Sequence, residues 1–128
     1  MLRQTEEYRT LDAIRHRMDF IHESMECGHL IIDVDSPEEV YLWSLEIYEG
    51  FRGNGLSHIL MQDIINHVTQ CFPTTEVIRL RVVFENEKAQ HVYLKAGFQY
   101  VNKIEVLTLP GEGENFIYVM EYKYGNKN

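Results

Sequence analysis

The stretch Ile47-Tyr48-Glu49-Gly50-Phe51-Arg52-Gly53-Asn54-Gly55-Leu56-Ser57 decides how this chain is read. Before it, Val40 to Tyr48 is rich in β-branched and aromatic residues and reads as a strand. After it, Leu56, Ile59, Leu60, Ile64 and Val68 recur at helical spacing and mark a helix of about four turns. A strand entering a glycine-rich turn that opens a helix is an anion site. The first helical N–H groups have no intrahelical partner, and the helix dipole adds roughly half a positive charge there. Glycines let the backbone take positive φ and approach a phosphate, and Arg52 adds a charged donor. Two familiar phosphate loops are excluded by spacing. No Gly-Lys-Ser/Thr follows, so this is not a P-loop, and no G-x-G-x-x-G with a later acidic residue suits a Rossmann site. Taken alone, the two glycines also fit an ordinary tight turn.

Downstream of the helix, Phe72-Pro73-Thr74-Thr75 is a stop. Val77 to Val83 alternates, with Ile78, Leu80 and Val82 on one face and Arg79 and Arg81 on the other. Glu87 to Ala96 predicts a short helix stopped by Gly97. Phe98–109 and 115–124 predict two strands joined by the loop Pro110-Gly111-Glu112-Gly113-Glu114, and residues 125–128 a frayed tail. Upstream, His29 to Asp35 predicts a strand paired with 40–48 through the turn Ser36-Pro37-Glu38-Glu39. Farther upstream, Tyr8, Leu11, Ile14, Met18, Ile21 and Met25 recur in steps of three or four. That spacing predicts an amphipathic helix over 5–26, with Gly28 as its stop.

The expected architecture is α/β: a mixed sheet flanked by helices, in a single domain of 1–128. It divides into an N-terminal helix (1–27), a sheet and site core (28–124) and a tail (125–128). The strand–helix–strand unit at 40–83 should make its two strands parallel.

The second motif is Asn86-Glu87-Lys88-Ala89-Gln90-His91-Val92-Tyr93-Leu94-Lys95-Ala96-Gly97-Phe98. With the loop at 52–57, it resembles the GNAT superfamily of N-acetyltransferases. That family carries Arg/Gln-x-x-Gly-x-Gly/Ala before a helix and Asn-x-x-Ala-x-x-x-Tyr-x-Lys-x-Gly-Phe about thirty residues on. Ser57 stands where the family has Gly or Ala. The resemblance is close over 45–98 and extends in pattern over 29–124.

The resemblance implies an acetyl-CoA-dependent enzyme that transfers acetyl directly to a primary amine in a ternary complex. Its loop positions Arg52, Gly53, Asn54, Gly55, Leu56 and Ser57 would bind the pyrophosphate. Leu45-Glu46-Ile47 would pair with the pantetheine arm, Ile47 offering its amide to the thioester carbonyl. Asn86 would bind the cofactor, and Tyr93 would protonate the leaving thiolate, its phenol pKa near 10 lying above that of a thiol. Read without the motif, Asn86 is a helix cap and Tyr93 a half-buried core aromatic. The alternative is a non-catalytic module of the same fold that binds acetyl-CoA or CoA as a regulator. A third reading is an interaction domain that keeps only the fold. The family usually has a strand and two helices before its next three strands. This sequence offers one helix and two strands there, so the acceptor pocket is expected to be open, completed by a second subunit, or absent.

Other classes are disfavoured. Net charge is −8, from 20 acidic against 12 basic residues, which argues against nucleic-acid binding. No apolar run approaches a membrane span and the N-terminus lacks the apolar stretch of a signal peptide, so a cytoplasmic protein is expected. Cys27 and Cys71 read as free thiols, and the six histidines show no metal-ligand spacing, so no metal is expected. The resemblance implies an acceptor amine on a small molecule, a lysine or a protein N-terminus, and a homodimer is left open. A general base is not assignable among Asp33, Asp35, Glu39 and Glu46, because Tyr41 stands where the family often has an acid. Alternation places Tyr41, Trp43, Leu45 and Ile47 on one strand face.

Overall fold

A computed structural model describes residues 1–111 and 113–125. The elements are β1 (Leu2–Arg9), β2 (Ile14–His22), β3 (Met25–Ser36), β4 (Glu39–Ile47), α1 (Leu56–Cys71), β5 (Val77–Val83), α2 (Glu87–Ala96), β6 (Gln99–Leu109) and β7 (Gly113–Lys123). One 3-10 turn, Glu49–Phe51, leads from β4 into the loop. The strands form a seven-stranded sheet ordered β1-β2-β3-β4-β5-β7-β6. The β4–β5 pair is parallel and the rest are antiparallel, so the expected mixed sheet with a central crossover is what the chain adopts. Of the expected tail, residues 126–128 lie outside the described residues.

The N-terminal helix expected over 1–27 does not form. The segment is instead β1, β2 and the start of β3, paired as antiparallel hairpins. The register places Ile14, His16, Met18 and Phe20 on one side of β2, and the last three are buried. This is a period of two, hidden because the second position is a histidine. The hairpin turn Glu23-Ser24 takes positive φ at both residues (51° and 66°), the conformation of a two-residue I′ turn without its usual Asn-Gly. Two apolar residues that supported the helical period are surface groups: Leu11 is fully exposed and Tyr8 exposed. The β1–β2 link, residues 10–13, is closed by the Thr10 hydroxyl, which accepts from the Asp12 and Ala13 amides. The strands ahead of the loop are therefore β1 to β4, and a four-residue turn occupies the place where the resemblance leads one to expect a helix pair.

Both helices pack on one face of the sheet. Leu60, Met61, Ile64 and Val68 of α1 and Tyr93 of α2 share one core cluster with Met18, Phe20, Leu30, Ile32, Val40, Leu42, Ile78, Leu80, Val82 and Met120. Burying those side chains supplies most of the driving force, at roughly 25 cal/mol per Å² of apolar area. The intervening strand residues point to the other face, which no helix covers among the described residues. That face carries ion pairs instead: Arg15 with Asp33, Arg3 with Asp19, Arg79 with Glu39 and Glu121, and Arg81 with Glu105.

Two irregularities in β4 open the sheet. Ile31 pairs with Trp43 but His29 pairs with Glu46, so β4 spends one extra residue there. Ser44 takes φ 53°, an unusual conformation for a residue with a side chain. The bulge reverses the side-chain parity of the strand. Val40 and Leu42 face the core before it and Ile47 faces the core after it. The unbroken alternation expected for Tyr41, Trp43, Leu45 and Ile47 is therefore corrected: Ile47 lies opposite to Tyr41 and Trp43. Pairing between β4 and β5 is confined to Glu39–Val77, Val40–Ile78 and Tyr41–Arg79. Beyond that point the two strands part, while β5 stays paired on its other edge with β7 as far as Val83–Ile117.

Candidate active site

The parting of β4 and β5 is bordered by two clefts. The larger, of about 990 Å³, is lined by residues from three separate parts of the chain. Leu45, Glu46 and Ile47 come from β4, Arg52, Gly53 and Ser57 from the loop and start of α1, and Asn86 and Tyr93 from α2. The structure thus brings together eight of the predicted site residues. Asn54 and Gly55 do not line the cleft, and the Leu56 side chain is buried in the core, leaving its backbone as the group with access to the loop.

The loop conformation follows from its glycines. Gly53 and Gly55 take φ of 84° and 74°, and a Cβ built on either would meet nothing within 4 Å. They are required for backbone shape, and space stands open around them. Gly55 caps α1 without a side-chain acceptor, so the first amides of the helix remain available. Arg52 is tied to the strand end by its Nε, which donates to the Ile47 carbonyl at 2.8 Å, and it also lies 3.6 Å from Glu46. The Tyr48 amide donates to the Cys27 carbonyl, on the β3 side. Because successive N–H groups along a strand point to opposite edges, the Ile47 N–H points toward the opened gap. Gly28 permits this approach: a Cβ there would lie 2.2 Å from the Glu46 carbonyl oxygen. Its role is a close strand contact, not the helix stop expected from the sequence.

Helix α2 is fixed at the end of β5 by Gln90. Its buried side-chain amide donates to the carbonyls of Val83 and Phe84 at 3.2 and 2.8 Å, and its oxygen accepts from the Tyr100 hydroxyl at 2.7 Å. Asn86 is the helix cap, its Oδ1 accepting from the Ala89 amide at 3.2 Å. It also lines both clefts, so capping and facing the gap are compatible. Gly97 ends the helix at φ 106°, sending Phe98 into the core. Tyr93 is buried at 9% exposure beside Phe98, and burial pushes its phenol pKa up, so the hydroxyl is protonated at neutral pH.

The smaller cleft, about 270 Å³, lies in the gap itself. Leu45, Asn86 and Tyr93 line both clefts, so the two meet at those residues. Leu42, Leu80 and Val82 line it from the core face and Trp43 and Arg81 from the other, so it is bounded from both sides of the sheet. Of the four carboxylates considered for a base, only Glu46 lines either cleft. Asp33 is paired with Arg15 and Glu39 with Arg79, while burial first, then Asp33 and Glu39, raises the Asp35 carboxyl above its ordinary range. No group of three or more His, Cys, Asp or Glu placed to hold a metal occurs among the described residues.

Sequence reasoning missed Met61, Lys88 and His91, which line the larger cleft, and Trp43 and Arg81, which line the smaller. Lys88 and His91 flank motif positions on α2 and were legible as exposed neighbours of Ala89. The Trp43–Arg81 contact joins β4 to β5 across the parallel crossover, for which the local spacing carries no direct signal.

A mixed sheet that parts between two parallel strands, with a glycine-turned helix start beside the gap, is the scaffold of acyl-CoA N-acyltransferases. The chain belongs to the GNAT acetyltransferase family: the family model described as "Acetyltransferase (GNAT) family" matches residues 10–98. An uncharacterized N-acetyltransferase, YdgE of Bacillus subtilis, is 31% identical over 65 residues, covering 51% of this chain and 40% of that protein. Among solved structures, a mutant of the spermidine N-acetyltransferase SpeG from Vibrio cholerae superposes with a TM-score of 0.74 at 18% identity, covering 85% of this chain and 65% of that one. The same enzyme in complex with CoA and spermine gives 0.72 at 18% identity, with the same 85% and 65% coverage. The chain thus spans less than two thirds of these relatives, and at such identities the structural likeness concerns the fold.

Proposed function

We propose that the protein transfers an acetyl group from acetyl-CoA to a primary amine, directly and in a ternary complex. The observation that carries this reading is the convergence of both family motifs on one cleft: Arg52, Gly53 and Ser57 from the loop, Asn86 and Tyr93 from α2, and the open edge of β4 between them. In this reading the pyrophosphate lies on the α1 N-terminus beside Arg52, where amides and dipole favour an anion. The pantetheine arm extends along Leu45-Glu46-Ile47 as an added strand. Asn54, Gly55 and Leu56 contribute backbone shape and amides rather than side chains.

Chemically, the amine nitrogen attacks the thioester carbonyl carbon. The carbonyl oxygen takes up negative charge and accepts from the Ile47 N–H. As the C–S bond breaks, its electron pair leaves on sulfur, and the neutral Tyr93 phenol supplies the proton that completes the thiol. The proton released by the new amide nitrogen returns to the phenolate through solvent, which restores Tyr93. Acetyl-CoA and the amine become CoA and the acetamide, with no covalent enzyme intermediate. Free thiols at Cys27 and Cys71 agree with a cytoplasmic setting.

One observation favours the alternative, a CoA-binding regulatory module: no carboxylate or histidine lines the smaller cleft to take the amine's proton. Calorimetry with acetyl-CoA and thiol release over a panel of amines separate the readings. Binding with thiol release that depends on an amine is the expected outcome. Binding without release by any amine supports the regulatory module, and no binding at millimolar acetyl-CoA refutes both.

A further inference from the structure

The smaller cleft has an unusual charge pattern. Arg81 is the one charged residue among those that line it, and no acidic residue does. The guanidinium sits over the rings of both Tyr41 and Trp43, 4.9 and 4.8 Å from their centroids. The rings themselves are stacked, 5.1 Å apart and 18° from parallel. Glu105 accepts from Arg81 Nε at 2.7 Å and lies 3.4 Å from Nη2, which fixes the plane of the guanidinium. Lys103 lies 3.5 Å from the same carboxylate, so the Arg81–Glu105–Lys103 group keeps a net positive charge. Trp43, which also lines the cleft, adds a second donor: its indole Nε1 is closed to solvent and has no acceptor among the described residues. A buried N–H without a partner is unfavourable and is relieved by any ligand that brings an acceptor.

A polyamine acceptor would carry its remote ammonium groups into a cleft that offers a guanidinium and no carboxylate, and like charges there repel. A carboxylate meets both needs at once, because it accepts from the guanidinium and from the indole N–H. The cleft joins the larger one at Leu45, Asn86 and Tyr93, so a ligand anchored at Trp43 and Arg81 directs its other end toward Tyr93.

We propose that the acceptor is a small amine bearing a carboxylate, of the amino-acid class, held through that carboxylate by Arg81 and the Trp43 indole N–H. This rests on the acetyltransferase reading above and names its substrate class. Tyr41 and Trp43 hold the guanidinium flat against their faces, and Glu105 fixes its rotation, so the guanidinium is arranged before the substrate arrives.

The test uses the full chain, acetyl-CoA, the common free amino acids, the carboxamide of each, and spermidine. The expected result is a kcat/KM for the best amino acid at least about tenfold above that of its carboxamide, with spermidine weaker still, as expected for loss of a charge-assisted hydrogen bond. Trp43→Phe keeps the ring stack and removes only the donor, and Arg81→Gln removes the charge. Each should shrink the acid-over-amide preference about tenfold, mainly through KM, while CoA affinity by calorimetry holds. Melting curves check that both variants fold. The inference is overturned if spermidine or the carboxamides are preferred, if no amino acid is acetylated although CoA binds, or if both variants keep the wild-type preference. Failure to bind CoA would instead remove the acetyltransferase reading on which it stands.

Discussion

Gly28→Ala tests the geometry that opens the site. Gly28 lies in β3 opposite Ile47, and its φ is not in the positive region, so alanine meets no backbone strain there. The obstacle is steric: the added Cβ would sit 2.2 Å from the Glu46 carbonyl oxygen and 3.2 Å from the Ile47 Cα. Carbon and oxygen approach comfortably to about 3.3 Å, so β4 must retreat by roughly 1 Å. The contact is backbone and cannot swing aside as a side chain would. Overpacking of this kind costs about 1–3 kcal/mol, which lowers the melting temperature of a domain this size by roughly 5–10 °C. The Ile47 amide moves with the strand, so acetyl-CoA affinity should also fall about tenfold, the worth of one hydrogen bond to the thioester carbonyl. Thermal melts and calorimetry with acetyl-CoA measure the two effects. Gly50→Ala is the control: a Cβ there meets nothing within 4 Å, and a change below about 0.5 kcal/mol is expected. A Gly28→Ala protein that melts within about 1 °C of the wild type and binds acetyl-CoA equally would refute the close contact.

Tyr93→Phe should lower turnover about a hundredfold or more with CoA affinity retained, measured by thiol release beside calorimetry; unchanged turnover removes Tyr93 from the proton-donor role. Asn86→Ala should cost about 1 kcal/mol in urea unfolding through loss of the α2 cap, whereas Asn86→Asp keeps the cap and should weaken CoA binding alone. An equal loss of stability in both would refute the cap at Asn86. The Glu105 carboxyl is held below its ordinary 4.5, first by its hydrogen bond from Arg81. Its folded pKa is lower than its unfolded one, so it stabilises the fold above the ordinary value, and that contribution is lost as pH falls through the folded value. Melting temperature should therefore drop below about pH 4.5, and Glu105→Gln should flatten that part of the profile. An unaltered profile in the variant would assign the acid sensitivity to other carboxylates.

What the sequence made legible depended on whether a local signal survived into the fold. Val77 to Val83 alternates cleanly between apolar residues and arginines, and Glu87 to Ala96 is bracketed by an asparagine cap and a stopping glycine, so both elements formed at their expected bounds. The loop at 52–57 was legible because only glycine takes its positive φ without cost. The N-terminal third failed for a different reason. In β2 the inward positions are Ile14, His16, Met18 and Phe20, and a buried histidine in that row erased the period of two. Met18, Ile21 and Met25, which are not on one face of the strands, then fell at helical steps by coincidence. Ser44 carried no signal at all, since nothing in its residue type announces φ 53° or the bulge that turns Ile47 inward.

That bulge links the fold to the chemistry. Without it Ile47 would share the face of Tyr41 and Trp43, away from the core. The extra residue turns the Ile47 side chain inward and points its amide into the gap, while Trp43, which precedes it, stays on the uncovered face beside Arg81. Among the described residues, the four-residue β1–β2 turn supplies no helix to cover Tyr41, Trp43 and Arg81. In the amino-acid reading, selectivity comes from two groups at the gap, an arginine held flat on two rings and the indole N–H of Trp43.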